Sequence, residues 1–176
     1  QNLLMVLEDH KDEVWYVTFS NNGKYLASCS ADKTAIIYNL SFLHQKENRP
    51  IICKGHEDSV SVVKFSPDSK MLLSCSEDKT LRLWDVDSGE CLQIFDKHRE
   101  GVSSCGWLSD SKEFISGGAG NDKILRRWNI EGEELDVWRV NFRITDLDVT
   151  RDSKRLVVVG QKKIYDFDPF TKTELF

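Results

Sequence analysis

Short apolar runs of five or six residues recur along the chain, each closed by a cluster of turn-forming residues. The pattern is clearest over residues 60–95. There Val60–Phe65, Met71–Ser76, Thr80–Asp85 and Cys91–Phe95 are separated by Ser66-Pro67-Asp68-Ser69, Glu77-Asp78-Lys79 and Asp87-Ser88-Gly89-Glu90. Runs this short, rich in Val, Leu, Trp and Phe and bounded by Pro, Gly, Asp and Ser, predict strands joined by tight turns.

The same order of residues returns three times. A histidine stands four positions before a valine at His10, His56 and His98, and an aromatic closes the first run at Phe19, Phe65 and Trp107. A serine follows in the second run (Ser28, Ser74, Ser116), then a turn aspartate (Asp32, Asp78, Asp122), then an aromatic (Tyr38, Trp84, Trp128). From histidine to aspartate the spans are 22, 22 and 24 positions, the third unit being stretched through Ala119-Gly120-Asn121. Four strands in a unit of about 40 to 45 residues is the arithmetic of a β-propeller blade. A lone meander cannot bury both of its faces, so neighbouring units must stack on it. A fourth unit is degenerate: Ile144–Thr150, Arg155–Gly160 and Ile164–Asp168 match the first three runs, without the histidine or the turn aspartate.

With Gly55-His56 opening and Trp84-Asp85 closing the second unit, and Tyr38-Asn39 and Trp128-Asn129 as weaker versions, the sequence resembles the WD-repeat family. The resemblance covers nearly the whole chain, 1–176, as one propeller region. It divides into an outer strand of a preceding blade at 2–7, blades at 8–54, 55–96 and 97–139, and the degenerate blade at 140–176. Family members usually close with seven blades, on the order of 300 residues. An open arc would leave a blade face and strand edges uncovered. The expected fold is therefore all-β, a WD-repeat β-propeller with about four blades of a seven-bladed ring; a closed four-bladed ring is the alternative. No signal-peptide pattern opens at Gln1, and the chain reads as part of something longer that folds poorly by itself.

Composition narrows the function classes. Hydrophobic residues are 40% and charged residues 30%, which suits a packed core. Lys and Arg number 24 against 29 Asp and Glu, a net charge of −5, which argues against a nucleic-acid binder. No apolar run approaches the roughly 18 residues of a membrane-spanning helix. The five cysteines are odd in number and form no C-x-x-C pair; they read as reduced core thiols of the cytosol or nucleus. Cys29 and Cys75 share one repeat position and read as small buried hydrophobes, and His44 stands alone in a loop.

A recurring His, Ser and Asp invites comparison with a nucleophilic triad. A catalytic centre would not be repeated three times at one spacing, so these residues read as structural. The family resemblance implies a hydrogen-bond network within each blade: His10, Ser28, Asp32 and Tyr38; His56, Ser74, Asp78 and Trp84; His98, Ser116, Asp122 and Trp128. A buried imidazole needs partners on both nitrogens, and aspartate and serine supply them. No glycine-rich phosphate loop or nucleophile elbow is present. The reading is not an enzyme, with no cofactor and no metal.

Function is then expected on the rims. The resemblance places the upper rim at residues flanking the first-strand valine and before the turn aspartate: Glu13, Trp15 and Ala31; Ser59, Ser61 and Glu77; Gly101, Ser103 and Asn121; Arg143 and Thr145. Of these, Glu13, Trp15, Ser59, Ser61, Glu77 and Arg143 are the candidate partner-binding residues. Trp15 is the main anchor, since Ser61, Ser103 and Thr145 show that the fold does not demand an aromatic there. The longer segment Ser41–Pro50 falls on the opposite rim, with Phe42 and Leu43 expected to tuck under the blade.

The phrase Leu7-Glu8-Asp9-His10-Lys11-Asp12-Glu13-Val14-Trp15 resembles the propeller opening of the WD-repeat scaffold subunits of CTLH, or GID, ubiquitin ligases. Lys97-His98-Arg99-Glu100, Gly132–Trp138 and the repeat lacking its histidine agree with it. That resemblance implies a non-catalytic scaffold of a RING-type ligase, supporting assembly and substrate recruitment for degradation. Its partners would be other ligase subunits and their substrates, with neither nucleic acid nor membrane. Homo-oligomerisation, if any, would run through parts outside this chain, and the location would be cytoplasmic and nuclear. The alternative is a generic WD-repeat adaptor or corepressor in another assembly.

Overall fold

The computed structural model describes residues 5–42 and 49–174. Among these residues fifteen strands form four antiparallel meanders in chain order. The first holds β1 (Val14–Phe19), β2 (Tyr25–Ser30), β3 (Thr34–Asn39) and β4 (Ile51–Lys54); the second β5 (Val60–Phe65), β6 (Met71–Ser76), β7 (Leu81–Asp85) and β8 (Cys91–Phe95). The third holds β9 (Val102–Trp107), β10 (Glu113–Gly118), β11 (Ile124–Asn129) and β12 (Glu134–Arg139); the fourth β13 (Asp146–Val149), β14 (Leu156–Gly160) and β15 (Lys163–Phe167), with a bridge from Phe167 to Glu174. These are four blades of a β-propeller.

The blades stack through three apolar layers. Ala27, Cys29, Ala35, Ile37 and Cys53 of the first blade meet Val60, Val63, Leu72 and Trp84 of the second. Leu73, Leu81, Leu83 and Phe95 meet Cys105, Trp107, Phe114 and Trp128, and Ile115 and Leu125 meet Ile144, Leu147, Leu156 and Val158. Inner strands pack in the order β1, β5, β9, β13. Serines clasp the lower turns together: the N–H of Asn22 donates to Ser69 Oγ at 3.2 Å, that of Asp68 to Ser111 Oγ at 3.0 Å, and that of Ser109 to Ser153 Oγ at 2.7 Å. Each clasping serine is buried and has a positive φ, the conformation that lets a tight turn present its side chain to the neighbouring blade.

The arc is open at its first blade. Val60 and Val63 are sealed by the blade before them, whereas Val14, Val17 and Phe19 at the matching and following positions of β1 are 50%, 59% and 65% exposed. The fourth blade does not cover them, so these four blades do not close on themselves. Met5–Leu7 lies in no strand, and residues 1–4 are outside the described residues, as are Leu43 and His44. Phe42 corrects one expectation. It ends a short 3-10 turn, Leu40–Phe42, and is 47% exposed instead of tucked away, because that turn stands beyond the strands with no layer beneath it.

Candidate functional site

The polar residues converge inside each blade as a closed relay. In the second blade His56 Nδ1 donates to Asp78 at 2.7 Å, and His56 Nε2 lies 2.7 Å from Ser74 Oγ. Trp84 Nε1–H donates to that same oxygen at 2.8 Å, so the serine hydroxyl turns its proton to the imidazole. The Asp78 carboxylate also accepts the Glu57 N–H at 2.9 Å and the Thr80 hydroxyl at 2.7 Å. The first blade repeats this with His10, Asp32, Ser28 and Thr34, with the Tyr38 hydroxyl meeting Ser28 in place of an indole. Although the Ser–His–Asp connectivity matches that of a hydrolase, the side chain of His56 and the whole of Ser74 are sealed from solvent. No acyl group could reach the hydroxyl, and the arrangement holds hairpins in place.

The third and fourth blades depart from this in different ways. His98 bonds Asp122 at 2.7 Å and Ser116 at 2.8 Å, and Trp128 donates to Ser116 at 2.8 Å. Ile124, however, stands where the other blades have Thr34 and Thr80, and among the described residues the buried Asp122 Oδ1 has no partner. In the fourth blade Val140, Val158 and Phe167 take the positions of His98, Ser116 and Trp128, and all three are buried. The relay has been replaced as a unit by an apolar plug, which leaves no half-satisfied polar group behind.

These environments fix how the fold responds to acid. Burial drives the pKa of His56 and of His98 below the ordinary 6.5, and it outweighs the attraction of Asp78 and Asp122. Protonating Nε2 would aim two N–H groups at one serine oxygen. Burial disfavours ionised Asp32 and Asp78, yet the threonine, backbone and histidine donors overcome it and hold both at about 2, against an ordinary 3.8. All four folded-state values are depressed, so each contribution is complete above the ordinary value and lost as pH falls through the folded one. From these four groups stability should be level just above pH 6.5, decline first as the histidines charge on acidification, and decline again between about 4 and 2. A series of urea midpoints against pH checks this, and a midpoint that rises on acidification below 6.5 would contradict it.

The upper rim is shaped by a feature the sequence did not reveal. Trp15, Ser61 and Ser103 are each the extra residue of a bulge in the first strand of their blade. A bulge re-aims the side chain it carries. Trp15 is 55% exposed on the open first blade, while Ser61 and Ser103 turn inward. Ser61 Oγ reaches the carbonyls of Cys75 and Val102, both at 3.2 Å, and Ser103 Oγ donates to the Gly117 carbonyl at 3.0 Å. Ser61 therefore also bridges the second and third blades. Glu77 is exposed; its N–H bonds the Ser59 carbonyl at 3.0 Å and its carboxylate lies over Gly101, where an added Cβ would come within 2.4 Å of it. Ser59, Ser61, Glu77 and Gly101 are thus gathered at one seam. Glu13 is exposed at the first blade and pairs through its carbonyl with the Ala31 N–H, and Arg143 is exposed at the fourth.

Comparison with known proteins places this geometry. The chain matches the family model described as "WD domain, G-beta repeat" over residues 1–39, 48–85 and 89–129. It is 46% identical over 159 residues to "GID complex subunit 7" of Schizosaccharomyces pombe, covering 90% of this chain and 30% of that protein. It is 38% identical over 169 residues to "WD repeat-containing protein 26 homolog" of Arabidopsis thaliana, covering 90% of this chain and 27% of that protein. Identity to the Arabidopsis "WD repeat-containing protein WDS homolog" is 37% over 176 residues, 97% of this chain and 34% of that protein. The chain spans about a third of the length of these curated relatives.

Proposed function

The chain belongs to the WD-repeat family, and on that premise we propose that it is a propeller segment of the WD-repeat scaffold subunit of a GID/CTLH-type RING ubiquitin ligase. Propellers of this family are typically non-catalytic platforms for protein interaction. The observation that carries the finer reading is the 46% identity, over 90% of this chain, to a protein named as a GID complex subunit. In this reading the rigid stack of blades offers several contact sites to other subunits and to substrates awaiting degradation. Multiple weak contacts on one scaffold raise effective concentration without any single strong site. Ubiquitin transfer belongs to partner subunits, and the protein works in the cytoplasm and nucleus. Glu13, Trp15, Ser59, Glu77 and Arg143 are the side chains offered to partners, with Ser61 contributing through the seam it holds.

A second reading is a generic adaptor or corepressor in another assembly, since a relative 37% identical over nearly the whole chain is named only as a WD-repeat protein. Affinity purification of the full-length protein with mass spectrometry separates the two. Recovery of RING and CTLH-domain subunits is expected. Trp15→Ala should lose a subset of partners. Recovery of an unrelated assembly would leave only the adaptor reading.

A further inference from the structure

The second and third blades each carry an arginine at the same place on the third strand, opposite Ser74 and Ser116, and only one of the two has an acid to meet. Arg126 pairs with Glu134, which stands opposite Trp128 on β12. In the second blade the arginine is Arg82, and the position opposite Trp84 on β8 belongs to Cys91. Among the described residues Arg82 enters no ion pair, and its buried Nε has no partner. Its guanidinium reaches the Cys91 sulfur instead, with Nη1 at 3.9 Å. Gly55 makes room for this, since an added Cβ would come within 2.5 Å of Nη1.

Cys91 is half-buried, whereas Cys29, Cys53, Cys75 and Cys105 are buried. One of those four lies behind it. Cys53 on β4 belongs to the apolar layer between the first and second blades, and Cys91 packs against that layer. The two segments meet closely: the Ile51 methyl fills the space where a Cβ on Gly89 would stand. Cys53 and Cys91 are each two residues further along. A cation beside a partly exposed thiol is the setting in which sulfur acts as a nucleophile, because it stabilises the negative charge gathered there. Burial pushes the Cys53 thiol up to about 12, so Cys53 does not react first.

We infer that Cys91 is a site of reversible oxidation by peroxide and that Cys53 is the thiol that resolves it. The Cys91 sulfur attacks one oxygen of hydrogen peroxide and the O–O bond breaks. The departing oxygen takes the thiol proton and leaves as water, so sulfur is oxidised to the sulfenic acid and the peroxide is reduced. The Cys53 sulfur then attacks that of Cys91, the S–O bond breaks, and the hydroxide leaves with the Cys53 proton as a second water. Proximity within one packed layer carries this second step. The disulfide ties the outer strand of the first blade to that of the second, and a reducing thiol reverses it. The inference holds whichever assembly the propeller serves.

Peptide mapping of the full-length protein tests it. Reduced protein is treated with stoichiometric hydrogen peroxide, free thiols are alkylated, and tryptic peptides are read by mass spectrometry without reduction. The expected product is the Cys53 peptide joined to the Cys91 peptide, two hydrogens lighter than their sum and separated by dithiothreitol. Cys53→Ala should stop at the Cys91 sulfenic acid, which dimedone traps. Arg82→Gln should slow the loss of the Cys91 thiol by about fivefold or more, and Arg82→Lys, which keeps the charge, by less. In urea all of these proteins should react alike, which ties the rate to the folded blade. The inference is overturned if wild-type Cys91 emerges unmodified, joined to any other cysteine, or as a sulfenic acid with Cys53 free. It is overturned too if folded Arg82→Gln reacts as fast as the wild type.

Discussion

Asp78→Ala should lower the unfolding free energy by about 2–4 kcal/mol, and Asp122→Ala by about 1–2 kcal/mol less than that. The difference follows from what each carboxylate holds. Asp78 accepts the imidazole N–H of His56, the Glu57 N–H, the Thr80 N–H at 2.9 Å and the Thr80 hydroxyl. Its removal leaves the buried His56 N–H and the half-buried Thr80 donors without their acceptor at the top of the second blade, at the cost of their desolvation. Asp122 has lost half of that set already, since Ile124 offers no hydroxyl and Oδ1 is unpartnered. Equilibrium urea unfolding of the full-length protein, wild type beside both variants, measures the difference. Equal losses, or a larger loss at Asp122, would show that the threonine bonds contribute nothing.

The repeating polar residues were legible because each recurs at a fixed offset from the partner that its chemistry requires. A buried imidazole demands an acceptor and a hydroxyl at fixed offsets, so His56, Ser74 and Asp78 announced both the register and the hairpins around them. The bulge at Trp15, Ser61 and Ser103 left no such trace. It is a matter of backbone pairing, and a tryptophan carries it as readily as the two serines. The inter-blade clasp was equally hidden: Ser69, Ser111 and Ser153 look like ordinary turn residues until the neighbouring blade brings an N–H to them. Phe42 misled for the opposite reason, because an apolar residue in a sequence declares its preference for burial and not whether a layer lies beneath it. The same holds for Val14 and Val17, whose pattern is that of Val60 and Val63 and whose exposure depends on what packs against β1.

Restoring the repeat's own residue in the fourth blade should do harm. Val158→Ser is expected to cost about 2–4 kcal/mol, although serine stands at positions 28, 74 and 116. Val158 is fully buried among Ile115, Val140, Leu147 and Phe167. The substitution forfeits about 1.5 kcal/mol of apolar burial and introduces a hydroxyl beside Val140 and Phe167, which offer no donor or acceptor. In the second blade the same hydroxyl meets His56 and Trp84 at 2.7 and 2.8 Å. The reciprocal Ser74→Val should therefore also destabilise by about 2–4 kcal/mol, since it orphans an imidazole nitrogen and an indole N–H together. Adding Val140→His and Phe167→Trp to Val158→Ser should recover only part of the loss, because no aspartate is present to receive the new imidazole proton. Urea midpoints of these variants in the full-length protein test the argument. If Val158→Ser were neutral or stabilising, the fourth blade would be a relay that tolerates loss; if it destabilises as expected, the apolar plug is a second, self-consistent solution to filling the same place in a blade.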